Sequence, residues 1–169
     1  MGNETAIAQE EFTLSHVCNA PRELVWKAWT EPERLAQWWG PAGFAMLSCK
    51  PDLRPGGVFH YGMQAPNGGE MWGKWVFREI RAPERLTFVI SFSDKDGGIT
   101  RHPMAPTWPA EMLGTSTFEA RGGKTLLTTR TVALDPTPAE RATFEAGFEG
   151  MKQGFGGTWD QLAAHLAKG

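Results

Sequence analysis

Four histidines and three of the glutamates are the candidates for moving a proton: His16, His60, His102, His165, Glu70, Glu79 and Glu111. General acid–base work needs such a group with a shifted pKa in a dry site. No two of them form a recognisable signature. There is no Gly-x-Ser-x-Gly elbow, no P-loop, no dinucleotide fingerprint and no metal-ligand spacing. His16 alternates in step with Phe12 and Leu14, as a core histidine would. His102 lies in a long loop from which it could reach a cavity mouth, with Glu111 nearby. No residue is named catalytic, and the chain is expected to use no metal and no cofactor.

The stronger signal is apolar. Eight Trp, ten Phe and seven Met stand against one Tyr. Such bulky, adaptable side chains fill a core or border a cavity for an apolar guest. The expected lining is Trp38, Trp39, Phe44, Met46, Phe59, Tyr61, Met63, Trp72, Met112, Phe148, Met151, Phe155 and Trp159. Tyr61, His60, Ser116 and Thr129 are the candidates for orienting a guest's polar group. Tyr61 shares strand parity with Phe59 and Met63, so it is favoured over His60, which should point outward.

The element that must position these residues is the stretch 137–168. Thr137-Pro138-Ala139-Glu140 reads as a capping box with Pro at the first helical position. Phe144, Phe148, Met151, Phe155, Trp159, Leu162 and Leu166 then make one helical stripe. About thirty residues at 1.5 Å each predict a rod of roughly 45 Å. Gly147, Gly150, Gly154, Gly156 and Gly157 interrupt it. Each interior Gly costs about 1 kcal/mol relative to Ala. They could soften the helix, admit a close neighbour or ligand, or break it near Gly156-Gly157.

The elements before it are short. Residues 1–9 read as a loose tail and 10–18 as a half-buried strand. Pro21 opens a helix with Leu24, Val25, Ala28 and Trp29 on one face. Thr30-Glu31-Pro32-Glu33 reads as a second capping box, with Leu35, Trp38 and Trp39 inward and Gly40-Pro41 as the stop. Strands follow over 44–52, 58–64, 71–80, 86–92, 112–120 and 124–134, separated by Gly- and Pro-rich turns too short for crossover helices. Residues 93–109 break the pattern with three prolines and a Gly pair. A loop of that length is usually functional or disordered. Its Met104 and Trp108 could cover a cavity mouth. The plan is α+β: seven antiparallel strands curved around one long helix, in a single domain over 10–169.

Composition narrows the partners. Net charge is -2 with both signs interspersed, which is no nucleic-acid surface. No apolar run of about eighteen residues offers a membrane span. Cys18 and Cys49 read as free thiols, and with no secretion signal the expected location is the cytoplasm.

Residues 20–41, Ala-Pro-Arg-Glu-Leu-Val-Trp through Leu-Ala-Gln-Trp-Trp-Gly-Pro, resemble the fingerprint of the bacterial activator-of-Hsp90-ATPase-like family, within the START, Bet v 1 and polyketide-cyclase superfamily. Asp52-Leu53-Arg54-Pro55-Gly56-Gly57 is similar to its Gly-rich turn. Arg78-Glu79-Ile80 with Pro83-Glu84-Arg85-Leu86 is similar to its central hairpin. Gly150-Met151 and Gly154-Phe155 are similar to pairs on its last helix, with Phe in place of Trp. The resemblance implies a helix-grip fold with a ligand-type cavity. It leaves three functions open: a binder of a small apolar or amphipathic molecule, a cyclase or hydrolase in the same cavity, and an interaction module, whether homodimer or co-chaperone. The eukaryotic co-chaperone of similar sequence carries a further N-terminal domain, for which these 169 residues leave no room.

Overall fold

The computed structural model describes residues 11–39, 43–102 and 105–168. The expected tail over 1–9, the Gly40-Pro41 stop and Met104 lie outside them. Strand β1 (Phe12–Cys18) leads into helices α1 (Arg22–Thr30) and α2 (Pro32–Trp38). Strands β2 (Ala45–Lys50), β3 (Val58–Gln64), β4 (Glu70–Arg81), β5 (Arg85–Ser93), β6 (Ile99–Thr100), β7 (Met112–Arg121) and β8 (Lys124–Ala133) follow. Helices α3 (Pro138–Ala146) and α4 (Phe148–Leu166) close the chain. The sheet order is β1-β8-β7-β5-β4-β3-β2, and every pair is antiparallel. This is the α+β plan expected from the pattern and the helix-grip fold implied by the resemblance.

Pairing fixes which side chains look inward. Phe59 opposes Trp75, Trp75 opposes Ile90, and Ile90 opposes Met112. Opposed residues share a face, so these rows line the concave side. Phe12, Leu14, His16 and Cys18 belong to it through β8. The core they build with α1, α2 and α4 includes Val25, Leu35, Trp38, Phe118, Leu127 and Leu162, each 0–2 % exposed.

Three expectations are corrected. The rod is two helices, not one. Its break comes at Gly147, the shared cap, while α4 continues through Gly156 and Gly157. The Trp108 ring packs against this position: a Cβ at Gly147 would stand 3.0 Å from it. The remaining α4 has 19 residues, about 28 Å. Second, the sheet has an eighth strand. The Asp94 carboxylate accepts from the Asp96 and Gly98 amides at 2.9 Å, and Gly97 turns at φ +93, so Ile99 and Thr100 fold back onto β5. Third, Thr30 caps nothing. Its hydroxyl donates to the Trp26 carbonyl of its own helix at 2.8 Å, and Glu31 is the cap residue of α2. The capping box at Thr137 forms as expected, with Glu140 N to Thr137 Oγ1 at 3.1 Å and Thr137 N to Glu140 Oε1 at 3.0 Å.

Candidate functional site

A cavity of about 410 Å³ lies between the concave face and α4. Its floor is β4, β5, β7 and β8, and its roof carries Gly147, Gly150, Met151, Phe155 and Trp159. Six of the eight tryptophans border it: Trp29, Trp39, Trp72, Trp75, Trp108 and Trp159. The volume falls toward the small end of the roughly 300–1,000 Å³ usual for ligand sites.

One end is an aromatic box. Trp39 meets Trp75 edge-on at 4.9 Å between centroids and Tyr61 at 5.8 Å, and Trp29 stacks on Trp75 at 5.9 Å. Tyr61 lies across Gly73, where a Cβ would come 2.6 Å from the phenol oxygen. That glycine lets the ring lie flat on the sheet. Burial pushes the Tyr61 phenol up to about 12, so it stays neutral. The Trp39 and Trp75 indoles favour its ionised form weakly, though neither indole N–H closes to a hydrogen bond.

The other end is covered by the loop before β7. His102 packs on Phe92 at 4.9 Å and on Trp108 at 6.1 Å. The loop is latched to α3. Arg101 donates to Glu140 and to the Trp108 carbonyl, the latter at 3.2 Å. The Thr107 and Thr143 hydroxyls meet at 2.7 Å, and Trp108 packs on Phe144 at 5.6 Å. The Arg101 hydrogen bond, then the Thr137 amide, hold the Glu140 carboxyl below its usual range. One carboxylate therefore both caps α3 and anchors the cover.

The fingerprint segment, the turn, the hairpin and the last helix are thus elements of one cavity-bearing fold. The sequence profile described as "Activator of Hsp90 ATPase homolog 1-like protein" matches residues 19–167. The chain belongs to this family. Solved structures agree. A Nitrosomonas europaea protein, NE0264, is 28 % identical, covers 94 % of each chain and superposes with a TM-score of 0.72. A protein from Arthrobacter aurescens is 25 % identical over 94 % of this chain and 87 % of its own, TM-score 0.75. The AHSA1 protein of Silicibacter pomeroyi, 19 % identical with a TM-score of 0.71 over 94 % of this chain and 98 % of its own, shows the shared fold alone. No curated protein sequence matches.

Within this family member, the thirteen residues expected to line the cavity divide. Trp39, Tyr61, Trp72, Met112, Met151, Phe155 and Trp159 border it. The ring of Trp72, however, covers Gly62 on the outer face and stacks on His60 at 5.3 Å. Trp38, Phe44, Met46, Phe59, Met63 and Phe148 are packing residues instead. Trp38 is 1 % exposed and donates to the Ala28 carbonyl at 2.8 Å. Phe59 is sealed against Trp75, and Met63 is buried in the same cluster. Phe44 and Met46 pack on that cluster from its margin. Phe148 is wedged between Phe12 and Phe144, at 5.4 and 5.2 Å.

Of the polar candidates, Tyr61, Ser116 and Thr129 border the cavity. His60 points outward, within 3.1 Å of the Asp94 carbonyl. His16 is inward and stacks on Trp159 at 6.4 Å. Sequence reasoning missed Trp29, Met71, Trp75, Phe88, Ile90, Thr131 and the floor glycine Gly114. Parity held the signal: Trp75 keeps step with Met71 and Gly73, and Ile90 with Phe88. Only the strand register showed that these rows face the cavity. No group of three or more metal-ligating side chains occurs among the described residues. No helix among them is long and apolar enough to cross a membrane.

Proposed function

We propose that this protein binds a small apolar or amphipathic molecule between the sheet and α4. One observation carries the reading: a 410 Å³ space survives among residues bulky enough to fill it. Interiors are normally packed with few voids larger than a water molecule. Here Phe88, Ile90, Met112, Met151 and Phe155 border open volume, and a latched loop covers one end. The superfamily commonly binds hydrophobic ligands, which supports the same reading. Cys18 and Cys49 are free, and burial pushes both thiols up to about 11, so they are inert side chains suited to a reducing compartment such as the cytoplasm. His102 is the sole histidine bordering the cavity, Glu111 does not border it, and no catalytic role is assigned.

Native mass spectrometry of freshly purified protein, with a thermal-shift panel of steroid-like, acyl and aromatic compounds, tests the proposal. A retained mass or a saturable stabilisation is expected. Both should vanish in Gly150→Phe, whose side chain starts in open space beside the cavity. A bare mass together with no stabilising compound would overturn it.

A further inference from the structure

The floor under α4 is not uniformly apolar. On β7, Met112, Gly114, Ser116 and Phe118 face inward. On β8 their partners are Ala133, Thr131, Thr129 and Leu127. Ser116 sits directly opposite Thr129, and Thr131 opposite Gly114, so three hydroxyls cluster on adjacent strands. Gly114 keeps that cluster open: a Cβ there would stand 2.9 Å from both Ile90 Cδ1 and Phe88 Cε2.

The three hydroxyls are not equally engaged. Thr129 Oγ1 donates to the Leu14 carbonyl at 3.4 Å, leaving its lone pairs. Ser116 is 1 % exposed, Thr131 is 6 % exposed, and neither hydroxyl bonds to any described residue. A buried hydroxyl without a partner is costly, which is why such groups are nearly always satisfied. The indole nitrogens of Trp75 and Trp159 are unpartnered but sealed among rings. The Ser116 and Thr131 oxygens are not sealed, and the space they open onto is the cavity.

The charges around the cavity narrow the guest further. No Lys, Asp or Glu borders it. Arg130 does so only from the outward-facing position between Thr129 and Thr131, and is exposed. His102 borders the cavity only at the loop-covered end, packed on Phe92 and Trp108, so a carboxylate or ammonium over the hydroxyl floor would be stripped of water with no charged side chain facing it, which proteins avoid.

We propose that the guest is an uncharged molecule with an oxygen acceptor, a ketone, ester or similar carbonyl compound on an apolar body, whose oxygen is held by Ser116 and Thr131. This rests on the ligand-binding reading above and names the chemical class that the site takes. Ser116 and Thr131 donate, and Thr129 offers an acceptor to any hydroxyl on the same guest. Met151 and Phe155 of α4 cover the apolar body.

Three probes of one shape separate the possibilities: 2-acetylnaphthalene, 2-isopropenylnaphthalene and 2-naphthoate. The first two differ only in a carbonyl oxygen against a methylene. Affinities are read by titration calorimetry and tryptophan quenching. The ketone is expected to bind about five- to tenfold tighter than the hydrocarbon, the yield of one net hydrogen bond, and the anion weakest. In Ser116→Ala/Thr131→Val the ketone's advantage should disappear while the hydrocarbon's affinity is kept. Equal binding of ketone and hydrocarbon by the native protein would overturn the hydroxyl assignment and leave the cavity reading standing. So would an advantage that survives the double variant, or tightest binding of 2-naphthoate. Binding of none of the three would remove the cavity reading and this inference with it. The comparison on native protein needs no variant, so a misfolded double mutant does not rescue the proposal.

Discussion

Replacing Gly154 and Gly150 by alanine should stabilise the protein by a measurable amount. Both lie inside α4, both are exposed, and neither has a positive φ. A Cβ built at either meets nothing within 4 Å. The steric term is therefore absent and the helix-propensity term stands alone, about 1 kcal/mol per substitution. For a chain of this size 1 kcal/mol moves the melting midpoint by about 2–4 °C, so the double variant should melt about 4–8 °C higher. Differential scanning calorimetry on the single and double variants measures it, with circular dichroism checking that helix content does not fall. The two positions then part. Gly150 borders the cavity and Gly154 does not. If the cavity holds a guest, Gly150→Ala changes its affinity and Gly154→Ala leaves it alone. An unchanged or lowered midpoint in Gly154→Ala would refute the reasoning, because it would mean that something approaches α4 where the structure leaves open space.

Two titrations test the electrostatics. Tyr61 is the single tyrosine of the chain, so absorbance at 295 nm reports it alone. Its transition should centre near 12 in the folded protein, against about 10 for a free phenol. The folded pKa is the higher one, so the associated stability is intact below about pH 10 and is lost as pH rises toward 12. That loss amounts to about 3 kcal/mol and should be absent in Tyr61→Phe; a midpoint near 10 in the folded state would contradict it. His165 runs the other way. It is 7 % exposed, with Nδ1 at 3.2 Å from Gln37 Oε1, and burial, then the charges of Arg34 and Lys168, lower its pKa. Its stabilising contribution is present above the ordinary value near 6.5 and falls away as pH drops below it. Urea midpoints at pH 7 and 5 should therefore differ more in the native protein than in His165→Gln, and equal differences would dismiss the effect.

The fold was legible because its signals are local and redundant. Alternation marks β3 and β5, Gly- and Pro-rich turns separate them, and the Thr137-Glu140 capping box marks the start of α3. The break at Gly147 was not legible, and neither was the Trp108 ring, 39 residues away in sequence, that packs where a Cβ at Gly147 would stand. No periodicity within the helix carries that contact. The same limit applies to the eighth strand, which depends on how the Asp94 carboxylate closes its own turn.

The cavity was legible only in outline, for a related reason. Strand parity says which residues share a face, but not whether that face is covered by a side chain or by empty space. Phe59 and Tyr61 have the same parity and similar rings, yet one is sealed against Trp75 and the other borders the cavity. The difference is set by what stands opposite: Trp75 beside Phe59, and Gly73 beside Tyr61. Gly114 acts the same way two strands along, with the Phe88 and Ile90 side chains leaning over the space where its Cβ would be. The cavity is thus shaped less by the aromatics that announce it than by two glycines on the floor and one on the roof, Gly150. A sequence shows where a glycine is. Only strand register shows what it leaves uncovered, and here that includes the Ser116 and Thr131 hydroxyls on which the assignment of a guest depends.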